Sequence, residues 1–203
     1  MKTEDVFREL CDLALKSGAD RAKIIAANEV VVDERVQLKC RFPPCVNYGR
    51  NLMCPPFTPS VKEFREILSK YNWALLVQMD SPLNEFKTKK AEGSRIYDLL
   101  EDKETIARIN KKILEDWKRF HALVSEIERE AFNKGNYLAL GLVAGSCRLC
   151  DSCDVNSPCK RPFEARPSME AMGIDVYKTA KNAGFEFLWN RKCITYNGLI
   201  LLD

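Results

Sequence analysis

Four cysteines that stand close together carry the strongest chemical signal in this sequence: Cys147, Cys150, Cys153 and Cys159, called here the downstream cysteines. Thiols at two-residue intervals can wrap a compact object, with each sulfur reaching a different iron of a cubane. Bacterial ferredoxins use the same C-x2-C-x2-C run followed by x3-C-P, and their fourth cysteine ligates the other cluster. Here five residues separate Cys153 from Cys159, and Pro162 is three residues further on. The pattern therefore predicts a [4Fe–4S] cluster, and leaves open whether Cys159 serves this cluster or a second one.

Zinc is the alternative metal for these thiols. Zinc sites usually combine two C-x2-C pairs that lie a dozen or more residues apart, and a triple run leaves one sulfur unused in that arrangement. Since His121 is the only histidine, any metal site must be built entirely, or nearly so, from thiolates. We favour iron–sulfur and keep a structural zinc site as the alternative.

A second group, the upstream cysteines, comprises Cys40, Cys45 and Cys54. They lie in a stretch over 40–59, the upstream loop, that also holds five prolines. Prolines stiffen the backbone and lower the entropic cost of holding ligands in place, while Gly49 would let backbone N–H groups approach sulfur and tune a cluster's potential. These three thiols predict a second cluster.

The fourth ligand of that second cluster is the open question. Cys11 falls on the apolar face of a predicted helix and is interpreted as a small buried hydrophobe. The eight remaining cysteines include Cys193, and two fully thiolate-ligated [4Fe–4S] clusters need eight. If Cys193 only fills space in a strand, a non-cysteine group or a free coordination position completes the cluster, and a free iron site is where chemistry could occur.

Composition restricts the class of protein. The chain has 203 residues, 46% hydrophobic and 30% charged, with a net charge of +3. This balance argues against a nucleic-acid partner, which usually requires a basic stripe. No apolar run approaches the length of a membrane span, and the charged start of the chain is not a secretory signal. We therefore expect a cytoplasmic protein, where clustered thiols more often bind metal than form disulfides.

The elements that must position the cysteines alternate between helix and strand, which favours an α/β or α+β fold. We expect one domain over residues 1–203, with a single sheet layered with helices and two inserted irregular loops, the upstream loop and the downstream loop (residues 147–167). The first half of the chain is predicted to contain a helix capped by Thr3 and closed by Gly18, a strand near 22–32, a helix opened by the capping box Ser60–Glu63, and a strand starting at Trp73. A long helix over 102–133 follows and is expected to pack on the sheet. The last predicted elements are a strand over 137–144, a helix over 176–183, and a hairpin or two sheet strands over 185–189 and 194–202.

Several longer motifs resemble one known family. They are Cys45-Val-Asn-Tyr-Gly, Cys54-Pro-Pro-Phe-Thr-Pro, Cys147-Arg-Leu-Cys150-Asp-Ser-Cys153, and the run from Cys159 through Arg-Pro-Ser-Met-Glu-Ala-Met-Gly to Val176. Together, over about residues 25–202, they resemble the predicted metal-binding proteins of domain-of-unknown-function family 2284, found in anaerobic bacteria and archaea. The resemblance implies a prokaryotic cytoplasmic protein that binds metal through these cysteines, and it implies no particular reaction.

Three functions are compatible with the residues. The first is an iron–sulfur protein that transfers electrons to a redox partner protein. The basic segment 86–90 is interpreted as a solvated loop, with docking of an acidic redox partner as the alternative. The second is an enzyme whose three-cysteine cluster leaves an iron open to a small substrate. The third is a structural zinc module. Cations near the cysteines in sequence would stabilise a reduced, negatively charged cluster: Lys160, Arg161, Arg166, Arg191 and Lys192.

Overall fold

The fold is known from a computed structural model that describes residues 3–83, 103–186 and 193–203. Within them, five α-helices accompany one four-stranded sheet in the order β1-β2-β4-β3. The elements are α1 (Thr3–Lys16), β1 (Arg21–Ala26), α2 (Glu34–Arg41), α3 (Val61–Leu68), β2 (Trp73–Pro82), α4 (Lys103–Asn133), β3 (Leu140–Val143), a 3₁₀ helix (Glu170–Met172), α5 (Val176–Asn182) and β4 (Cys193–Leu202).

All three strand pairings are antiparallel, so the fold is α+β. The two longest strands, β2 and β4, pair along their whole length from Trp73 opposite Leu202 to Pro82 opposite Cys193. Strand β3 pairs only with the second half of β4, and its last residue, Val143, lies opposite Gly198. The chain therefore leaves the sheet near the middle of β4 and enters the downstream loop there.

Helices cover both faces of the sheet, as predicted. Side chains alternate along β2, so that Leu75 and Val77 face a core shared with α1 and α4, while Ala74 and Leu76 face a core shared with α3 and α5. Helix α4 buries a stripe at helical spacing against the sheet: Ile109, Trp117, Phe120, Val124 and Ile127. None of the helices described is long and apolar enough to cross a membrane.

The predicted start of α3 is confirmed, whereas Thr3, predicted as the cap of the first helix, is itself the first described residue of α1. Ser60 Oγ accepts a hydrogen bond from the N–H of Glu63, and the Glu63 carboxylate accepts one from the N–H of Ser60, which is a complete capping box. Asp175 caps α5 in the same way through the N–H of Lys178. These caps satisfy backbone donors that the first turn of a helix leaves free.

Other boundaries were wrong. The strand near 22–32 ends at Ala26, because a 3₁₀ turn follows it, and Val32 forms only an isolated bridge with Ile174. Helix α2 was not predicted, and it places Cys40, expected at the start of an irregular loop, in its last turn. The strand over 137–144 shortens to β3. Of the two final predicted strands, only β4 is present as a strand among the described residues. Segments 86–90 and 187–192 lie outside the described residues.

Gly198 marks the closest approach between β4 and α4. A Cβ added there would lie 2.6 Å from Val124 Cγ2 and 3.1 Å from Phe120 Cζ. We expect Gly198→Ala to lower the free energy of unfolding by about 2 kcal/mol, as overpacked cores do. Urea unfolding measures this, and adding Val124→Ala should recover part of the loss because it removes the colliding methyl. Strictly additive losses in the double variant would contradict the account.

Candidate metal centre

The upstream and downstream loops, about 100 residues apart in sequence, pack against each other. The Asn51 side chain donates from Nδ2 to the carbonyl of Cys147 (2.8 Å), and the N–H of Leu52 donates to Cys153 Sγ (3.5 Å). Asn47 Nδ2 donates to Ser146 Oγ (3.0 Å). The fold thus brings both predicted cysteine groups to one place on the surface, where β3 ends.

The upstream cysteines form one group. The N–H of Cys45 donates to the carbonyl of Cys40 (2.9 Å), which folds the loop back on the end of α2. Burial, together with the neighbouring thiols of Cys40 and Cys45, raises the pKa of Cys54 to about 12. Gly49, at φ +67°, donates its N–H to the carbonyl of Pro55 (2.9 Å) and so holds the two ends of the loop together.

The downstream cysteines form a second group. Burial raises the pKa of Cys147, as do the thiols of Cys159, Cys150 and Cys153, whereas a hydrogen bond from the N–H of Leu149 lowers it. Burial dominates because the charged thiolate loses its hydration there. Cys150 and Cys153 are exposed, whereas Cys147 and Cys159 are half-buried.

The two groups meet at Cys147. The thiols of the other downstream cysteines raise the pKa of Cys147, and the Cys147 thiol in turn contributes to the raised pKa of Cys54 in the upstream group. The hydrogen bond from Leu52 to Cys153 joins the groups a second time. Seven of the eight predicted ligands therefore belong to one composite centre.

Cys193, the eighth predicted ligand, lies elsewhere. It begins β4 opposite Pro82. The charged groups that affect the pKa of Cys193 are Asp80, Asp20 and Arg21. No described cysteine is among them. Cys11 packs beside the core between α1 and the sheet, as predicted for a small hydrophobe. All nine cysteines are free thiols.

A cleft of about 710 Å³ opens over the downstream cysteines. All four of them line it, together with residues 49–53 of the upstream loop. Five cations also line its walls: Arg50, Lys118, Arg148, Lys160 and Arg161. Arg161 is anchored by an ion pair with Glu164 and by a hydrogen bond from Nη1 to the carbonyl of Leu149 (3.2 Å). The cleft gives solvent and solutes direct access to the thiols.

The donor chemistry of this centre fits thiolate-bound metal. As the side chains stand, no three Cys, His, Asp or Glu residues of the described chain form a ready-made site for a metal ion. A cubane distributes its thiolates over different irons, which keeps them further apart than the ligands of one ion. Backbone N–H donors to Cys147 and Cys153 and the cations around the cleft also suit bound, negatively charged metal thiolate.

Sequence reasoning missed the residues that hold the loops in place. Asn51 is 4% exposed, and Ser168 is 5% exposed and donates its N–H to the carbonyl of Met53 (3.1 Å). Glu170, inside a matched motif, accepts hydrogen bonds from Gly145 and Ser168. The sequence signal for these residues would have been a polar residue within an otherwise stiff, proline-rich or apolar stretch, because a buried polar group requires a hydrogen-bond partner.

His121 is a core residue. It is 1% exposed, its ring packs on Trp117 with centroids 4.5 Å apart, and Nε2 accepts a hydrogen bond from the N–H of Arg166 (3.1 Å). Nδ1 has no partner among the described residues. Burial lowers the pKa of His121 to about 4 from 6.5, so the folded protein keeps the ring neutral while the unfolded chain protonates.

This shift predicts a loss of stability in acid. The contribution of His121 is fully present above pH 6.5 and is lost as the pH falls from 6.5 to about 4. Its full size is about 3 kcal/mol. Chemical denaturation at a series of pH values should show a shallower decline across this window in His121→Gln, which cannot protonate. Parallel curves for the two proteins would contradict the assignment.

Comparison with known proteins agrees with this centre. A family model described as a predicted metal-binding protein, DUF2284, matches residues 23–202. That span contains both cysteine loops and all four strands except the first two residues of β1. No curated protein and no solved structure matches the chain.

Proposed function

The chain belongs to the DUF2284 family of predicted metal-binding proteins, and on that premise we propose that it is an iron–sulfur protein that transfers electrons. In this proposal Cys147, Cys150, Cys153 and Cys159 hold one [4Fe–4S] cluster, and Cys40, Cys45 and Cys54 hold a second. Bound clusters would supply one-electron redox chemistry. The thiols are kept reduced in the cytoplasm, and a redox partner protein supplies or accepts the electrons.

One observation carries the proposal: the triple C-x2-C-x2-C run receives a backbone N–H from the other cysteine loop, between Leu52 and Cys153. N–H donors to sulfur, burial and nearby charge are the means by which a protein adjusts the potential of a cluster. The contribution of the Cys147 thiol to the raised pKa of Cys54 supports two neighbouring clusters, an arrangement suited to passing electrons between two centres.

A second function is favoured by the open cleft. Cys150 and Cys153 are exposed on a cleft of about 710 Å³, which is within the size range of small-molecule sites. An enzyme acting on a small substrate would need such access, and the downstream cluster would have an open iron if Cys159 ligated the upstream cluster instead. Five cations on the cleft wall would suit an anionic substrate.

Metal analysis of protein purified without oxygen tests these proposals. We expect about eight iron and eight acid-labile sulfide per chain from two cubanes, following the four irons and four sulfides of each cluster. About four of each would support one cluster and refute the second. Zinc without sulfide would refute the iron–sulfur function and leave a structural module. A change in the visible spectrum on adding a small anion would favour the enzyme over the electron carrier.

A further inference from the structure

The upstream cysteines supply three thiols, and Cys193 lies apart from them. A fourth protein ligand must therefore be sought among the residues that surround the upstream cysteines. Three backbone segments carry Cys40, Cys54 and Cys147. Each of these segments makes a hydrogen bond to the same short stretch, residues 168–171. That stretch contains one carboxylate, that of Glu170.

The three hydrogen bonds come from different directions. Gln37, one turn before Cys40 in α2, donates from Nε2 to the carbonyl of Ala171 (2.7 Å). Ser168 donates its N–H to the carbonyl of Met53, the residue before Cys54 (3.1 Å). Gly145, two residues before Cys147, donates its N–H to Glu170 Oε2 (2.9 Å). Glu170 therefore stands where these cysteine-bearing segments converge.

The carboxylate is held by one oxygen only. Oε2 accepts hydrogen bonds from the N–H of Gly145 and from Ser168 Oγ (2.7 Å), and Ser168 is itself buried. Oε1 makes no hydrogen bond or ion pair within the part of the chain that the structure describes. A carboxylate oriented by outer-shell donors through one oxygen, with the other oxygen free, is the usual state of a metal-ligating Glu.

The negative charge of Glu170 also affects the pKa of two upstream thiols. It contributes to the raised pKa of both Cys40 and Cys54, after burial and the neighbouring cysteines. No such effect of Glu170 appears among the groups acting on Cys147 or on Cys193. Glu170 therefore lies near the upstream group, which is the group that lacks a fourth ligand.

We propose that Glu170 is the fourth protein ligand of the upstream site and binds through Oε1 together with Cys40, Cys45 and Cys54. This inference rests on the proposed function of the upstream loop as a metal site. It applies to an iron–sulfur cluster, which distributes its ligands over several irons, because the described side chains form no ready-made site for a single metal ion. An oxygen ligand among three thiolates is the most easily displaced of the four, so this position is where an exogenous ligand would enter.

The test is retention of metal by the upstream site in Glu170→Gln. Glutamine keeps an acceptor for Gly145 and Ser168 and removes only the negative charge and the ligating oxygen. On full-length protein purified without oxygen, we would titrate EDTA, alkylate with N-ethylmaleimide, and measure the protection of each cysteine by peptide mass spectrometry. We expect Glu170→Gln to expose Cys40, Cys45 and Cys54 at an EDTA concentration at least tenfold lower, with the downstream cysteines unchanged within twofold.

Two further variants separate ligation from a structural role. Glu34→Gln is the matched control, because Glu34 lies on α2, the helix that carries Cys40, but pairs with Arg65 (2.7 Å), and it should behave as wild type. Glu170→Cys replaces the oxygen ligand by a thiolate and should restore protection, with an altered visible spectrum. Restoration by cysteine would not follow if Glu170 merely supported the loop.

The outcomes are distinct. Wild-type retention in Glu170→Gln overturns the proposal. Equal loss of protection at all seven cysteines, or failure of a folded Glu170→Cys to restore it, also overturns it. If wild-type protein shows no EDTA-sensitive protection at Cys40, Cys45 and Cys54, the upstream metal site itself is refuted. The proposed role of Glu170 as its ligand is then refuted as well.

Discussion

Removal of the metal is expected to lower the midpoint of thermal unfolding by about 10–20 °C. The two cysteine loops form few regular backbone contacts, and three of their seven thiols are exposed, so metal bonds would replace a hydrophobic core there. Structural zinc contributes about 10–16 kcal/mol in small peptides. Taking about 5 kcal/mol in a protein with its own core, a shift of about 2–4 °C per kcal/mol gives this range for a chain of this size.

The same effect should follow from loss of one ligand and not from loss of a packing cysteine. Cys150→Ser removes an exposed thiol from the downstream group, and we expect it to lose metal and to lower the melting temperature. Cys11→Ser, beside the core under α1, should keep its full metal content. Differential scanning calorimetry and metal analysis on the same samples measure both effects. Equal metal loss in the two variants would refute this division of roles.

The sequence predicted elements whose signals are local and repeated. Helix α4 carries an apolar stripe over about six turns, and the start of α3 is specified by two side chains three residues apart, Ser60 and Glu63. Helix α2 gave no such signal because none of its eight residues is buried. It is held by Asp33 at its start and by the hydrogen bond from Gln37 to Ala171, a partner 134 positions away.

The same distinction applies to the metal centre. Cysteine spacing is a local property, so both cysteine groups were found from sequence. Three features depend on pairings across about 100 residues, such as Leu52 with Cys153. The two loops join, Cys193 stands apart, and residues 168–171 make hydrogen bonds to the segments that carry the cysteines. Spacing carries no information on these pairings. The antiparallel sheet decides them, because β3 ends at Val143 and delivers Cys147 beside the upstream loop.

Asn51 is the residue on which the union of the two loops depends most. Its Nδ2 donates to the carbonyl of Cys147, and its Oδ1 accepts a hydrogen bond from the N–H of Met53 (3.0 Å). Asn51→Ala would leave both backbone groups without this partner in a site that is 4% exposed. At about 1–3 kcal/mol for each unsatisfied buried group, we expect a loss of about 3 kcal/mol, and metal affinity reduced about 10–100-fold, as for other outer-shell residues.

Asn47→Ala provides the matched comparison, because Asn47 is the same residue type in the same loop and reaches the neighbouring residue, Ser146. It is half-buried and its partner is a hydroxyl that water can satisfy, so we expect less than about 1 kcal/mol of loss. Urea unfolding and chelator competition on the two variants measure stability and metal affinity. If Asn47→Ala were as damaging as Asn51→Ala, the carbonyl of Cys147 would not be the contact that joins the loops, and the composite centre would need a different anchor.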